Sequence, residues 1–179
     1  MIFVTVGTHS HPFNRLLEIV DSLPADQERI VQYGFSTYPL KNCETYRFLE
    51  FEQMRSFMAR ADCVVSHAGV GSIMLALATG KRPVVAPRLH RFGEHVDDHQ
   101  VEIVQAFATA QKVVPLMPGN DLTLKIVEAG IAPTQSAIAP SQGLIDFFSA
   151  AVSRPQPVRR NIFALSGRRL VPVPTRSRR

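Results

Sequence analysis

The stretch Cys63-Val64-Val65-Ser66-His67-Ala68-Gly69-Val70-Gly71-Ser72 passes from a short apolar segment through a turn with two glycines into a helix-like segment. Residues 63–66 are predicted to form a strand, and Val64 and Val65 at its centre are apolar and β-branched, which is typical of a buried strand. Helical spacing follows over 72–79, and Gly80 is a suitable residue to end that helix. A strand that leads directly into a helix is the repeating unit of α/β proteins.

The rest of the chain alternates in the same way. Further strands are predicted at 2–6, 29–33, 46–51, 83–86 and 112–116, and helices at 12–23, 52–60, 96–109, 122–128 and 142–152. This alternation predicts an α/β fold, a Rossmann-like parallel sheet with helices on both faces. In such a sheet, ligands bind beyond the carboxyl ends of the strands, so we expect the chemistry in the loops that follow strands.

Composition narrows the class of protein. Of 179 residues, 45% are hydrophobic and 20% charged, so a core can form and bulk disorder is excluded. Two cysteines are too few for a disulfide scaffold or a cysteine zinc site. The sequence has no apolar stretch of membrane-spanning length and its start does not resemble a signal peptide, so we expect a cytoplasmic protein.

Charge divides the chain into two parts. Residues 1–150 contain 12 basic and 15 acidic side chains, a net charge of −3, whereas 151–179 contain eight arginines and no acid. The basic character therefore belongs to the end of the chain. We predict one domain over 1–153 and a disordered segment rich in proline and arginine over 154–179.

The turn with two glycines is the first candidate site. Gly69 and Gly71 let the backbone approach a ligand closely, and the helix that starts beside Ser72 would direct free N–H groups and its positive dipole end at a phosphate. The alternative is a tight strand–helix turn in which Ser72 only caps the helix. The pattern is neither the three-glycine Rossmann fingerprint nor a Walker loop.

A second polar group, Phe92-Gly93-Glu94-His95-Val96-Asp97-Asp98-His99-Gln100, follows the strand at 83–86. Near the start of the predicted helix, Glu94 and His95 would share a face with Asp98 and His99 at i,i+4 spacing. A face so rich in donors and acceptors is typical of a sugar-binding surface. The alternatives are acidic residues that only favour the helix dipole, and a metal site of the two histidines with Asp98.

A third group, Val6-Gly7-Thr8-His9-Ser10-His11, follows the first strand. Gly7 permits close approach, and Thr8 and His9 offer polar groups; an ordinary turn into the helix is the alternative. The six histidines all lie in or beside these loops: His9, His11, His67, His90, His95 and His99. Their concentration at one predicted edge of the sheet favours a functional interpretation.

Four motifs, in the segments 1–16, 66–69, 80–85 and 92–100, resemble the glycosyltransferase family 28 C-terminal domain over roughly residues 1–128. The chain is most similar to the small catalytic subunits of bacterial two-subunit polysaccharide glycosyltransferases, of the glucuronosyl- or galactosyltransferase type. It is also similar to the catalytic subunit of the split eukaryotic enzyme that adds the second N-acetylglucosamine to dolichol-linked chitobiose.

The resemblance implies that the chain is the donor-binding half of a GT-B fold. It also implies an enzyme that transfers sugar from a UDP-sugar with inversion and without a metal or other cofactor. The acceptor would be a polyprenyl-linked oligosaccharide in exopolysaccharide biosynthesis. A separate, membrane-anchored subunit would supply the acceptor-binding half and recruit this chain to the inner face of the cytoplasmic membrane. The resemblance implies no nucleic-acid partner.

The resemblance also implies roles for individual residues. The residues at the donor diphosphate would be Gly7, Thr8, Gly69, Gly71 and Ser72. The residues that hold the hydroxyl groups of the donor sugar would be Glu94, Asp98, His99 and Gln100. The donor would also be bound by His67, Ala68 and His95. His9 is the candidate general base, although the partner subunit could supply it. Arg88 and Arg91 could pair with a sugar carboxylate, which would favour glucuronate. Alternatively, they could be solvated or contact a phosphate. Leu75 stands where the single-chain peptidoglycan member carries a ribose-binding glutamate.

A different class of function competes with this interpretation. The α/β domain could be a non-enzymatic scaffold whose arginine-rich segment binds nucleic acid or an anionic membrane electrostatically. That segment contains a single aromatic residue, Phe163, which argues against stacking on single-stranded nucleic acid.

Overall fold

The first strand shows why helices are needed on both faces of the sheet. In β1 (Ile2–Thr5) all four side chains are buried. Ile2 and Val4 contribute to one hydrophobic core and Phe3 to another. Successive side chains of a strand point to opposite faces, so a strand buried on both faces reads as an unbroken apolar run.

The computed structural model describes residues 1–131. Five further strands follow β1, namely β2 (Arg29–Gln32), β3 (Glu44–Tyr46), β4 (Cys63–His67), β5 (Val84–Ala86) and β6 (Val114–Pro115). The α-helices are α1 (Asn14–Asp21), α2 (Phe51–Arg60), α3 (Val70–Ala78), α4 (His99–Thr109) and α5 (Leu122–Ile131), and a 3-10 turn spans His90–Phe92. Among these helices none is long and apolar enough to cross a bilayer.

The sheet has the strand order β3-β2-β1-β4-β5-β6, and every neighbouring pair is parallel. This is the order of a Rossmann fold, and the predicted α/β class is confirmed. The strand order reverses between β1 and β4, where the chain leaves the two strands in opposite directions. In open parallel sheets, the crevice at that point is the usual place for a ligand.

Each face of the sheet has its own helices. Leu16, Leu17 and Val20 of α1 and Leu122 of α5 pack against one face. The other face is covered by Met58 of α2, by Ala76 and Ile73 of α3, and by Val104 of α4. These helices are amphipathic, so their apolar stripes supply the burial that keeps the strands out of water.

Two of the element boundaries that differ from the predictions change an interpretation. The segment 46–51 is not a strand: β3 ends at Tyr46, and a capping box of Glu50 and Gln53 starts α2 at Phe51. Helix α3 begins at Val70, two residues earlier than predicted, so Ser72 lies inside its first turn and does not cap it. The interpretation of Ser72 as a helix cap is therefore wrong.

The predicted helix at 96–109 is the largest error. Helix α4 begins only at His99, and Val96, expected in the core, is 68% exposed. Gly93 has a φ of +66° and ends the preceding 3-10 turn in the left-handed conformation. Residues 94–98 therefore form a loop, and the expected helical face shared by Glu94, His95, Asp98 and His99 does not exist.

Two predictions lie outside the described residues. They are the helix at 142–152 and the division between a domain over 1–153 and a basic segment over 154–179.

Candidate functional site

Two glycine-containing loops enclose the ring of His67, the last residue of β4. A Cβ added to Gly7 would lie 2.5 Å from His67 Nε2, and one added to Gly69 would lie 2.3 Å from the same atom. Real Cβ atoms do not approach other atoms so closely, so both positions need glycine to let the backbone meet the imidazole. The loops that follow β1 and β4 therefore meet at His67, as the sequence predicted for one edge of the sheet.

The loop after β1 is fixed from its other side by Gln32 at the end of β2. Gln32 Oε1 accepts hydrogen bonds from Thr5 Oγ1 (2.7 Å) and from the Gly7 N–H (3.1 Å). Gln32 Nε2 donates to the carbonyl oxygens of Gly7 (3.1 Å) and Arg47 (2.8 Å). All four hydrogen-bonding capacities of one buried amide are used, so Gly7 has a fixed position. The sequence analysis missed this residue.

Arg88, which follows β5, joins the loop after β1 to the loop after β5. Its guanidinium donates from Nη2 to the Val6 carbonyl (2.8 Å) and from Nη1 to the carbonyls of His11 (2.9 Å) and Glu94 (3.1 Å). The side chain is 1% exposed, and it lies over the ring of Phe13, 4.7 Å from the ring centre. Arg88 is thus bound to the protein itself. Its Nε has no hydrogen-bond partner, but the side chain is buried and presents no exposed donor pair to a sugar carboxylate.

The carboxylate of Glu94 is also bound by other residues of the protein. Its carboxylate accepts two hydrogen bonds from Arg15, both 2.9 Å long, and one from the Leu89 N–H at 3.0 Å. Arg15 also donates to the Pro87 carbonyl at 2.8 Å. Glu94 is 3% exposed, so this ion pair attaches α1 to the loop after β5 and presents no carboxylate to a sugar. Sequence reasoning assigned Glu94 to the donor and gave Arg15 no role.

Gln100 and Asp98 shape the same loop and keep polar atoms for a ligand. Gln100 Oε1 accepts from the Arg88 N–H (3.0 Å), which leaves the N–H donors of Nε2 available. Asp98 is exposed, and its Oδ1 accepts from the His90 N–H (2.8 Å).

Four histidines form a row along the rim of these loops. The ring of His9 lies 4.8 Å from that of His11 and 4.7 Å from that of His95, measured between ring centres. His95 and His99 are 4.7 Å apart and edge to face. The structure therefore brings the loop after β1 into contact with the loop after β5, although the predicted helical face is absent.

Burial keeps two of the histidines neutral. Burial, aided by the positive charge of Arg88, lowers the pKa of His67 to about 4. Burial also lowers the pKa of His9, with smaller contributions from the charges of Arg88, His95 and His11. Neutral His9 can accept a proton at physiological pH. Nδ1 of His67 is buried without a hydrogen-bond partner, which is a costly state for a polar atom.

The N-terminus of α3 opens beside His67. Gly69 is the residue before the helix, and no side chain caps it. The first N–H groups of a helix have no partner within it, and the helix dipole makes this end attractive to anions. Gly71 lies in this first turn. Ala68, by contrast, is buried in the core and only its backbone can face a ligand.

A parallel sheet in this strand order, with its polar loops at the point where the order reverses, is a Rossmann-like unit, and a GT-B glycosyltransferase contains two such units. The family model of the glycosyltransferase family 28 C-terminal domain matches residues 1–129. The chain belongs to this family.

The similarity to two known proteins can be described by sequence identity and by the share of each chain that is covered. The Yarrowia lipolytica UDP-N-acetylglucosamine transferase subunit ALG13 is 32% identical over 121 residues, which cover 59% of each protein. The crystal structure of the kitacinnamycin glycotransferase has 19% identity and a TM-score of 0.56, over 84% of this chain and 41% of that one. The chain thus spans 59% and 41% of the lengths of these two proteins.

Replacing Arg88 by Met should destabilise the protein strongly, because the carbonyl groups of Val6, His11 and Glu94 lose a charged donor and the Glu94 carboxylate loses a nearby positive charge. We expect the free energy of unfolding, measured by urea denaturation, to fall by at least about 3 kcal/mol. Arg91 is exposed and lies over Phe92, so Arg91→Met should cost less than about 1 kcal/mol. Equal losses in the two variants would contradict the structural role of Arg88.

The close approach at Gly69 can be tested by a double-mutant cycle. Gly69→Ala places a methyl group against the His67 ring and should lower stability by about 1–3 kcal/mol. In a His67→Ala background the obstacle is gone, so the same substitution should cost much less. Urea denaturation of the four proteins measures the coupling, and additive costs would show that the two residues do not touch.

Proposed function

We propose that this chain is the donor-binding catalytic subunit of an inverting UDP-sugar glycosyltransferase, which transfers a sugar to a polyprenyl-linked acceptor in exopolysaccharide biosynthesis. The observation that carries the proposal is the meeting of three elements at one edge of the sheet: the Gly7 loop, the uncapped N-terminus of α3 and the loop ending at Gln100. Membership of the glycosyltransferase family supports it.

The diphosphate would bind where Gly7 faces the start of α3. Free N–H groups of Gly71 and its neighbours can donate to phosphate oxygens, and Thr8 is exposed on the opposite side. Negative charge grows on UDP as the bond to the sugar breaks. Donors that are already oriented towards this charge stabilise the transition state more than the ground state.

An aromatic pair beyond β2 and β3 is suited to the uracil base. Phe35 and Phe48 are 41% and 44% exposed, with ring centres 5.4 Å apart. The guanidinium of Arg47 lies over both rings. The pair adjoins the Gly7 loop, because Gly34 packs against the Gly7 carbonyl. Aromatic side chains of this kind provide stacking surfaces for bases.

The sugar would then lie towards the loop after β5. Gln100 Nε2, the exposed carboxylate of Asp98 and the imidazoles of His95 and His99 offer donors and acceptors for hydroxyl groups. Glu94 would act through Arg15, by fixing the shape of this loop, and not by touching the sugar.

In the proposed reaction an acceptor hydroxyl oxygen attacks the anomeric carbon from the face opposite UDP. The new C–O bond forms as the bond to the diphosphate oxygen breaks, so the configuration inverts. The hydroxyl proton passes to a base, and UDP leaves with the bonding electrons. His9 lies at the rim with a lowered pKa, so its neutral imidazole can accept this proton.

The acceptor-binding half would be a separate, membrane-anchored subunit. The chain covers 41% of the kitacinnamycin glycotransferase, which corresponds to one of two Rossmann-like halves. The name of the yeast relative describes a subunit. A cleft needs two walls, so this chain would act only with its partner, at the inner face of the cytoplasmic membrane.

The residues of the site and the name of a similar protein favour different donor sugars. Arg88 already donates to carbonyl groups of the protein. Arg91 is exposed, so it is the arginine that could bind the carboxylate of glucuronate. The name of the yeast relative favours N-acetylglucosamine. Glucuronosyl transfer stays our first proposal, because a carboxylate-bearing donor would give Arg91 a partner.

Gln100→Glu tests the sugar-binding role without losing the structural bond, because a carboxylate can still accept from the Arg88 N–H. We expect the UDP-sugar affinity of the chain, measured by calorimetry, to fall at least about tenfold, since the N–H donors are lost. Gln105→Glu, on the exposed face of the same helix, adds the same charge and should change little. Unchanged affinity in Gln100→Glu would remove Gln100 from the site.

Activity should depend on the partner. The chain co-expressed with a candidate membrane subunit should transfer sugar from one of UDP-glucuronate, UDP-galactose or UDP-N-acetylglucosamine to a polyprenyl-linked acceptor, and either protein alone should be inactive. Transfer by this chain alone would contradict the two-subunit proposal. Absence of UDP binding in calorimetry would contradict the enzyme assignment and favour the scaffold interpretation.

A further inference from the structure

Three possible metal ligands converge in the loop between the 3-10 turn and α4. Asp97 Oδ1 lies 3.0 Å from His95 Nδ1 and is also hydrogen-bonded to His99 Nδ1. The three ligand atoms all lie within 4.8 Å of one another. This group differs from the set considered from the sequence, which contained Asp98, because the loop turns Asp98 towards the His90 N–H.

The surrounding structure holds this group in place. The ring of His95 is fixed by its stack on His9, 4.7 Å away, and its side chain is only 11% exposed. Asp97 Oδ1 also accepts from the His99 N–H at 3.2 Å, which ties the carboxylate to the start of α4. Asp97 and His99 are about half exposed, so an ion could reach them from solvent.

The ligand atoms lie somewhat closer together than a tetrahedral ion would hold them. In a zinc site with bonds of about 2.0–2.2 Å, neighbouring ligand atoms are about 3.3–3.6 Å apart. The present contacts are those of a carboxylate that shares protons with two imidazoles. An ion that replaces these protons needs only a small outward movement of the exposed side chains.

We propose that His95, Asp97 and His99 form a binding site for a divalent transition-metal ion, for which Zn²⁺ is the best match. Two imidazole nitrogens and one carboxylate oxygen form a ligand set that zinc accepts, and the fourth position stays open to water. His95 and His99 are also proposed to hold the donor sugar, so a bound ion would compete with the donor. This competition rests on the proposed function, whereas the metal site does not.

Calorimetric titration of the full chain with ZnCl₂, after removal of metals with EDTA and dialysis, tests the site. We expect one zinc ion per chain. Asp97→Ala and His99→Ala should each weaken binding by more than about tenfold. His90→Ala is the matched control, because His90 is exposed beside the same loop and lies outside the ligand group. Circular dichroism of each variant verifies that it is folded.

Absence of zinc binding, or equal affinity in Asp97→Ala, His99→Ala and the native chain, would overturn the proposal. In proton NMR spectra of the native chain, zinc should shift the ring signals of His95 and His99 and leave those of His90 in place. A parallel titration with UDP in the presence of EDTA tests the proposed function alone. A failure there, with zinc binding intact, would reject the donor site and keep the metal site.

Discussion

The buried guanidinium of Arg88 is the constraint on which the arrangement of the site depends. Removing a cation from water costs several kcal/mol, and this cost is offset here by carbonyl groups of two loops and by the nearby charge of Glu94. Burial lowers the pKa of Arg88 to about 10, so the group stays charged at neutral pH. Neither loop can move away without leaving a buried charge unpaired, and the site is therefore preorganised.

The same loops show how side-chain and backbone requirements combine. His67 fits its place only because Gly7 and Gly69 lack a Cβ, and Gly7 keeps its place because Gln32 satisfies both of its backbone groups. The result is a neutral imidazole beside an uncapped helix N-terminus. An anion bound there would be held by oriented N–H dipoles, without an additional positive charge from the histidine.

Local signals in the sequence predicted the fold and the edge of the sheet that carries the site. The apolar run of β1 predicts burial, and the glycines at the start of α3 predict a close approach of the backbone to another group. Both are properties of single segments. The role of Glu94 and the start of α4 depend instead on tertiary partners. Helical spacing suggested a continuous helix, but Gly93 in the left-handed conformation and the Arg15–Glu94 pair hold residues 94–98 as a loop.

The two ion-based links also have a consequence for biosynthesis of the chain. Arg88 donates to a carbonyl 82 residues earlier, and Arg15 binds a carboxylate 79 residues later. During translation, neither of these two contacts can form until Arg88 and Glu94 have left the ribosome. The candidate site is therefore completed late, after most of the sheet is available, and a truncated nascent chain would not acquire it.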